Sequence, residues 1–379
     1  MTIGRAYVAG IALGALVLTF AGAISLPPLA AHGDFAEQWA AARMVLEGGH
    51  PYDPVTWRAG AARLAGRASD AIAFVYPPYV TLALVPLAAL PLPIAATLWV
   101  GATLVIAALA VGALLRAYPP SHPLVATMFG AALMCSTPSL LALGQGQWDF
   151  LLLAVASRAL VTVANDGRPS ASALALLFKP QLAPLVLVAF ARAATGRARV
   201  DFIAASAVAV ALIAGTVVAV LPWWTAWLRG LTGFAAAQPI RTTTLASTLD
   251  ALLGPASAIV LVAVIATVTA VGLALPSQRP ATLAAWIATA VLIAPYIQTY
   301  DHLLLLAPLV VATSAVAVRS GGASLAVAMV GVALLVFGDL AATAATMAHG
   351  HDLFGVLIPL VIWALVTGVA WSLRAAAPR

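Results

Sequence analysis

Residues 94–115 read IAATLWVGATLVIAALAVGALL, an unbroken run without a charged side chain, closed by Arg116. At about 1.5 Å of rise per residue, such a run wound as a helix crosses the ~30 Å hydrocarbon layer of a bilayer. Comparable runs occupy approximately 6–26, 123–143, 148–164, 200–221, 253–275, 281–298, 302–318, 323–345 and 354–373. The chain of 379 residues is 63% hydrophobic and 8% charged, too little polar surface to coat a water-soluble globule. The expected fold class is therefore all-α: a polytopic membrane protein with about 10–12 membrane helices in one integral-membrane domain spanning 1–379.

The net charge of +6 is carried by arginines scattered at the ends of apolar runs, with no basic cluster interleaved with aromatics. That pattern specifies topology rather than a polyanion site, so no nucleic-acid partner is expected. Arg5, Arg116, Arg168, Arg192, Arg197, Arg199, Arg279, Arg319, Arg374 and Arg379 all read as cytoplasmic. The intervening segments, rich in aromatics, acids and histidines, then face the other side: 27–71 as a long first outer loop, 144–149, 222–250, 295–302 and 346–352. Residues 6–26 have the build of either a secretory signal peptide or an uncleaved anchor, and the many later spans favour the anchor. The single Cys135 lies in an apolar run and reads as a small buried hydrophobe.

Two apolar pieces do not read as simple spans. Residues 72–93 carry Pro77, Pro78, Pro86, Pro91 and Pro93, too many ring constraints for one helix, and predict a broken re-entrant or juxtamembrane element. Residues 171–191 lie between two arginine-marked connections. Either they form a short re-entrant hairpin with Lys179-Pro180 at its tip, or one of those connections is misplaced.

Polar residues in so apolar a chain need a reason. Lys179 is the only lysine, beside 17 arginines, and an ionisable group in an apolar segment costs roughly 2.5–3.5 kcal/mol to insert. A snorkelling lysine is the plain reading, and a phosphate-binding ammonium the functional one. Residues 144–149, GQGQWD, place Gln145, Gln147, Trp148 and Asp149 on a short connection. They suit sugar hydroxyls and C–H faces, although Asp149 also suits a helix cap. In YIQTYDHLLLLAP, Tyr296, Gln298, Tyr300, Asp301 and His302 stand at the mouth of two spans. The tyrosines fit an aromatic belt and Asp301 a cap, while His302 suits proton donation or a leaving phosphate.

In the long segment 222–250, Trp223, Trp224 and Trp227 read as belt residues, and Arg241 reads either as a phosphate clamp or as a solvated side chain. His349–Asp352, HGHD, lacks a third ligand set and reads as a polar loop, so no metal is expected. Arg158 and Asp339 sit inside spans without a spacing that joins them. The first loop opens HGDFAEQWAAARMVLEGGHPYDP over 32–54. Asp34 followed by Glu37 resembles a capping box, and the helix to Leu46 carries Phe35, Trp39, Ala42 and Leu46 near one face, predicting an amphipathic helix on the outer leaflet. Asp34 is thus either a cap or the base of a reaction at the membrane surface.

The ordered set Gly33-Asp34-Phe35, Ala41-Ala42-Arg43, Pro51-Tyr52-Asp53-Pro54, FVYPPY at 74–79, GQGQWD, FKPQ at 178–181 and TYDHLLLLAP at 299–308 resembles the bacterial polyprenol-phosphate-mannose-dependent α-mannosyltransferases. These belong to the C superfamily of integral-membrane glycosyltransferases. The resemblance runs from Asp34 to about Pro308. It implies a helical membrane fold with juxtamembrane helices in the first outer loop, and an active site on the outer face. It also implies a sugar donor on a polyprenyl phosphate and a glycolipid or glycan acceptor, with Asp34 as general base. Lys179, His302 and Arg241 would then hold the donor phosphate, and Gln145, Gln147, Asp149, Tyr300 and Asp301 the sugar. No cofactor is implied, and a Gly-rich phosphate loop is absent from the sequence. The main rival is a transporter or flippase of a lipid-linked sugar, which would place balanced polar residues on both faces.

Overall fold

The computed structural model describes residues 2–20, 30–66, 74–166, 177–194, 196–237, 244–276, 279–349 and 354–375, and among them there is no strand. The first elements are α1 (Ile3–Phe20), α2 (Asp34–Leu46), α3 (Pro54–Ala65), α4 (Pro78–Ala88), α5 (Leu92–Ala117), α6 (Pro123–Cys135), α7 (Thr137–Gln145) and α8 (Asp149–Asp166). Then come α9 (Ala183–Ala193), α10 (Gly196–Ala219), α11 (Leu221–Ala237), α12 (Leu245–Leu253), α13 (Ser257–Ala274) and α14 (Pro280–Ile293). A 3₁₀ segment, Thr299–Leu305, leads into α15 (Leu306–Ala317), and a π-helical turn, Leu334–Gly338, joins α16 (Gly321–Ala333) to α17 (Asp339–His349). The last helix is α18 (Leu357–Ala375).

Among the described residues, seven stretches are long and apolar enough to cross a membrane: Leu92–Ala117, Pro123–Gln145, Arg199–Ala219, Leu245–Ala274, Thr299–Ala317, Gly321–Ala348 and Leu357–Arg374. Only 6% of the apolar window in Arg199–Ala219 and 11% of that in Leu245–Ala274 is buried inside the protein. Helices apolar on every side yet turned outward are stable in hydrocarbon and not in water. The chain is a multi-pass, all-α membrane protein.

Proline sets many of the boundaries. Pro54, Pro78, Pro123 and Pro280 each occupy the first turn of a helix, where the missing N–H removes no intrahelical bond and the fixed φ suits the start. The run 123–143 is two helices rather than one, parted at Ser136, whose backbone is extended just before Thr137-Pro138. In the proline-rich 72–93 stretch, extended Pro77 and Pro91 bracket α4, whose 11 residues reach only about 16 Å.

The core forms where α5 lies on α8, α14 on α9, α15 and α18, and α16 on α15. Helix α14 is buried along nearly its whole length, with alanines and threonines admitting neighbours on all sides. Helix α1 packs on α6 and is tied by the Tyr7 hydroxyl donating to Ala108 O at 2.9 Å and by Thr127 donating to Ala6 O at 3.1 Å. At one end of the bundle, Arg279 donates to Leu373 O at 2.7 Å and Arg319 to Ser372 O at 2.9 Å, gathering arginine-marked ends that the sequence assigns to one side.

Three local expectations change. Residues 222–250 are mostly helical, in α11 and α12, with Trp227 donating to Val75 O at 2.8 Å. Trp223 packs on His50 and Tyr52, and Trp224 on Tyr79, so these indoles cover the first loop and α4. Helix α2 does not lie on a surface. Phe35, Gln38 and Trp39 are enclosed together with Ala36, Ala40, Ala41 and Ala42, because the small alanine faces let α3, α4 and α5 approach from several sides. The cap position of α2 falls on Gly33, and Asp34 is the first helical residue.

Candidate functional site

Asp34 is bonded through both its backbone and its carboxylate to the 145–147 connection. Its backbone N–H donates to Gln145 Oε1 at 3.2 Å, and its Oδ2 accepts from Gln147 Nε2. The Tyr76 hydroxyl donates to Gln147 Oε1 at 3.2 Å, which fixes the amide so that its N–H points at the acid. Two glycines permit this approach. A Cβ on Gly33 would come within 2.7 Å of Gln145 Cα, and Gly146 takes φ +66°, with a Cβ there meeting Phe35 Cβ at 2.6 Å.

A ladder of aromatic rings supports the polar row. Phe35 stacks on Trp99 at 5.8 Å, Trp99 meets Trp148 edge-on at 4.6 Å, and Trp148 stacks on Phe178 at 4.7 Å. Phe35 follows Asp34, Trp148 separates Gln147 from Asp149, and Phe178 precedes Lys179, so each outer rung holds a polar neighbour in register. The indole nitrogens are spent internally: Trp99 donates to Gly146 O at 2.8 Å and Trp148 to Gln38 Oε1 at 2.7 Å. Ring pairs of this kind add about 0.5–1.5 kcal/mol each beyond the area they bury.

At the far end of the ladder, Lys179 sits in the turn before α9 with its ammonium between two carboxylates. Nζ is 2.8 Å from Asp149 Oδ2 and 2.7 Å from Asp301 Oδ1, and it lies 4.6 Å from the centre of the Tyr300 ring. The other oxygen of Asp301 accepts the Gln298 backbone N–H at 2.8 Å and closes the 3₁₀ segment. Lys179 is 4% exposed and both acids 1%, so the triad is a buried structural knot joining α8, α9 and the 295–302 turn. The next residue, His302, is fully buried and its Nδ1 lies 2.7 Å from Asp339 Oδ1, at the start of α17.

A cavity of about 370 Å³ opens beside Asp34, lined by Asp34, Leu141, Gln145, Tyr296, Gln298, Thr299, Tyr300, Thr343, Thr346 and Met347. Its volume falls at the lower end of the ~300–1,000 Å³ usual for small-molecule sites. Tyr296, between two membrane helices, accepts from Gln298 Nε2 at 3.2 Å, and burial pushes its phenol above 10.0, keeping it a hydrogen-bond donor at neutral pH. A second, apolar groove of about 190 Å³ runs between α9 and α14, lined by Gln181, Leu182, Pro184, Leu185, Ala290, Ile293, Ala294 and Pro295. Its ends adjoin Lys179 and Tyr296 in sequence.

The residues singled out from sequence therefore divide. Asp34, Gln145 and Tyr300 line the cavity, and Gln147 is bonded to Asp34. Asp149 and Asp301, expected at the sugar, turn instead to Lys179, because a buried ammonium needs counter-charge. Lys179 and His302, expected at the donor phosphate, do not line the cavity, each being committed to carboxylates. Arg241, Arg168, residues 171–176 of the expected hairpin and residues 350–352 of HGHD lie outside the described residues. Arg158 is exposed on α8, and Asp339 pairs with His302. Sequence reading missed Tyr76, which orients Gln147, and Thr343, Thr346 and Met347. The latter three follow Asp339 at helical spacing, a periodic stripe that an inspection of 339–347 would have exposed.

Compared with known proteins, the chain matches the model of "Glycosyltransferase family 87" over residues 74–297. No curated protein and no solved structure matches it.

Proposed function

The chain belongs to glycosyltransferase family 87, and from that premise we propose that it moves a hexose, expected to be mannose, from a polyprenyl-phosphate donor to a hydroxyl of a lipid-linked or cell-envelope glycan. The observation that carries the reading is Asp34: a carboxylate oriented by Gln147 at the edge of a cavity whose other polar lining is amides, phenols and hydroxyls, beside Leu141 and Met347. Such a lining suits sugar hydroxyls, and a carboxylate beside it supports a general-base role for Asp34.

The reaction follows from these groups. An acceptor hydroxyl oxygen attacks the anomeric carbon of the donor, Asp34 takes the hydroxyl proton, the C1–O bond to phosphate breaks, and polyprenyl phosphate departs with the bonding electron pair. Tyr296 and Gln298 donate hydrogen bonds beside the developing charge, with Arg241 a further candidate. Lys179 and His302 act at one remove. The first holds Tyr300 and the 295–302 turn through Asp301, and the second holds α17 through Asp339. A lipid donor is supported by the apolar groove between α9 and α14, which would accommodate part of a prenyl chain while its phosphate reached the turn at Tyr296. An extracytoplasmic site is supported by the charge pattern, since the cavity is built from the arginine-poor connections.

Protein in nanodiscs, given a short-chain polyprenyl-phosphate mannose and an alkyl mannoside, should yield the acceptor one hexose heavier together with free polyprenyl phosphate. Transfer from a nucleotide sugar and none from the lipid donor would overturn the donor assignment.

A further inference from the structure

Two helical stripes face each other across the cavity. On α7, Thr137, Leu141 and Gln145 recur every four residues. On α17, Asp339, Thr343, Thr346 and Met347 fall at i, i+4, i+7 and i+8. The stripes are joined at the base, where the Thr137 hydroxyl donates to Val336 O at 2.8 Å, a carbonyl within the π-helical turn. One turn further on, Asp339 is held by His302 at 2.7 Å. Above these anchors Leu141 and Gln145 line the cavity from one side and Thr343, Thr346 and Met347 from the other. A π turn adds one residue to a helical turn and so resets which face of the following helix points inward, a device frequent at functional sites. Here it brings both the buried Asp339 and the threonines above it to the same side.

The two threonines differ. Thr346 donates to Ala342 O at 2.9 Å, the usual back-bond of a helical threonine. The Thr343 hydroxyl oxygen is enclosed and has no hydrogen-bond partner among the described residues. A threonine in a helix has two accessible χ1 states, so a rotamer change of about 120° exchanges methyl and hydroxyl at the cavity face. A buried hydroxyl left unpaired is costly, and a ligand that pairs it recovers that cost. None of the described cavity-lining residues is basic, and their amides, phenols and hydroxyls suit the neutral hydroxyls of a sugar. With the Asp34 carboxylate on the same cavity, the sugar presented to it is the one that supplies the nucleophile. The threonine wall lies beyond residue 297, where the family match ends.

We propose that the α17 wall, with Thr343 as its principal contact, is the determinant that selects the acceptor sugar, by hydrogen-bonding one of the ring hydroxyls that does not react. This rests on the glycosyl-transfer reading with Asp34 as base. Transfer from a short-chain polyprenyl-phosphate mannose to octyl mannoside, octyl glucoside and octyl galactoside tests it in the wild type, Thr343→Val and Thr343→Ser. The valine variant should raise the KM for the preferred glycoside about fivefold to tenfold, the size of one lost neutral hydrogen bond, with kcat and donor KM little changed. It should also narrow the preference among the three epimers, and serine should restore both. An unchanged acceptor KM and epimer preference in Thr343→Val would overturn the inference. So would equal impairment by serine and valine, which would mean packing, or a rise confined to the donor KM. If the wild type itself transfers to no glycoside and binds none by calorimetry, the underlying reading fails and the inference with it, a result visible before any variant is made.

Discussion

Gln147 donates its amide N–H to the carboxylate of Asp34 across 113 residues of sequence, and the Tyr76 hydroxyl holds the other end of that amide. The acid that begins α2 is thereby held as an acceptor at the cavity. Replacing Gln147 by Leu removes the bond while keeping the bulk. The expected result is a loss of kcat of about tenfold or more, since a positioned base contributes ~10²–10⁴ and a misdirected one only part of that. Near-normal thermal stability alongside a normal kcat would show that the amide does not orient the base.

Lys179 joins Asp149 and Asp301 in a site almost without solvent. Removing one member of such a group leaves uncompensated buried charge and costs about 3–5 kcal/mol, whereas replacing charge by well-packed neutral groups together is often close to neutral. Lys179→Met should therefore lower the unfolding temperature in detergent strongly. The triple change Lys179→Met, Asp149→Asn, Asp301→Asn should recover much of the loss. Absence of any recovery would mean that the lysine matters for something other than balancing the two acids.

Gly146 ends α7 with φ +66° and lies against Phe35, so it carries both a conformational and a steric requirement. Gly146→Ala imposes a left-handed backbone of about 1–2 kcal/mol together with a clash at the foot of the aromatic ladder. The variant should fold less stably and lose activity more than stability, because the displaced loop carries both Gln145 and Gln147. Equal stability and activity to wild type, compared by thermal unfolding and transfer rate, would show that the loop is not pinned there.

Glu47, just past α2, accepts from Arg63 of α3 and from Arg43, and these bonds, Arg63 first, hold its carboxyl below its ordinary 4.5. A group with a depressed folded value stabilises above its unfolded value, and that contribution is lost as pH falls through the folded one. The unfolding-temperature difference between wild type and Glu47→Gln should thus be present at neutral pH and vanish well below 4.5. The pair is exposed, so the effect should be small and should shrink with salt. A difference that persists unchanged in acid would mean that the glutamate acts by shape and not by charge.

Much of the fold is legible from hydropathy because spanning helices satisfy their own backbone and need only length and apolarity. Leu92–Ala117 and Leu357–Arg374 lie close to the runs read from sequence. The site was legible only in pieces. Asp34, GQGQWD and the 296–302 cluster stand out because polar groups in so apolar a chain need partners, but their pairings span 30, 113 and 122 residues, which no local periodicity encodes. That is why Lys179 and His302 pointed to a phosphate in the sequence, while Asp149, Asp301 and Asp339 meet them in the structure. The α11 helix escaped notice because its Trp, Pro and Thr residues resemble a loop until Val75 and Tyr79 appear beneath them.

Asp34 as the base is the assignment on which the proposed transfer rests. The most direct test is single-turnover transfer from a polyprenyl-phosphate mannose by Asp34→Asn, an isosteric change that retains a hydrogen-bonding group, with donor binding measured in parallel. With Asp34 as the base, transfer should fall by about 10²–10⁴ while donor affinity is kept. Transfer at close to the wild-type rate would contradict that role.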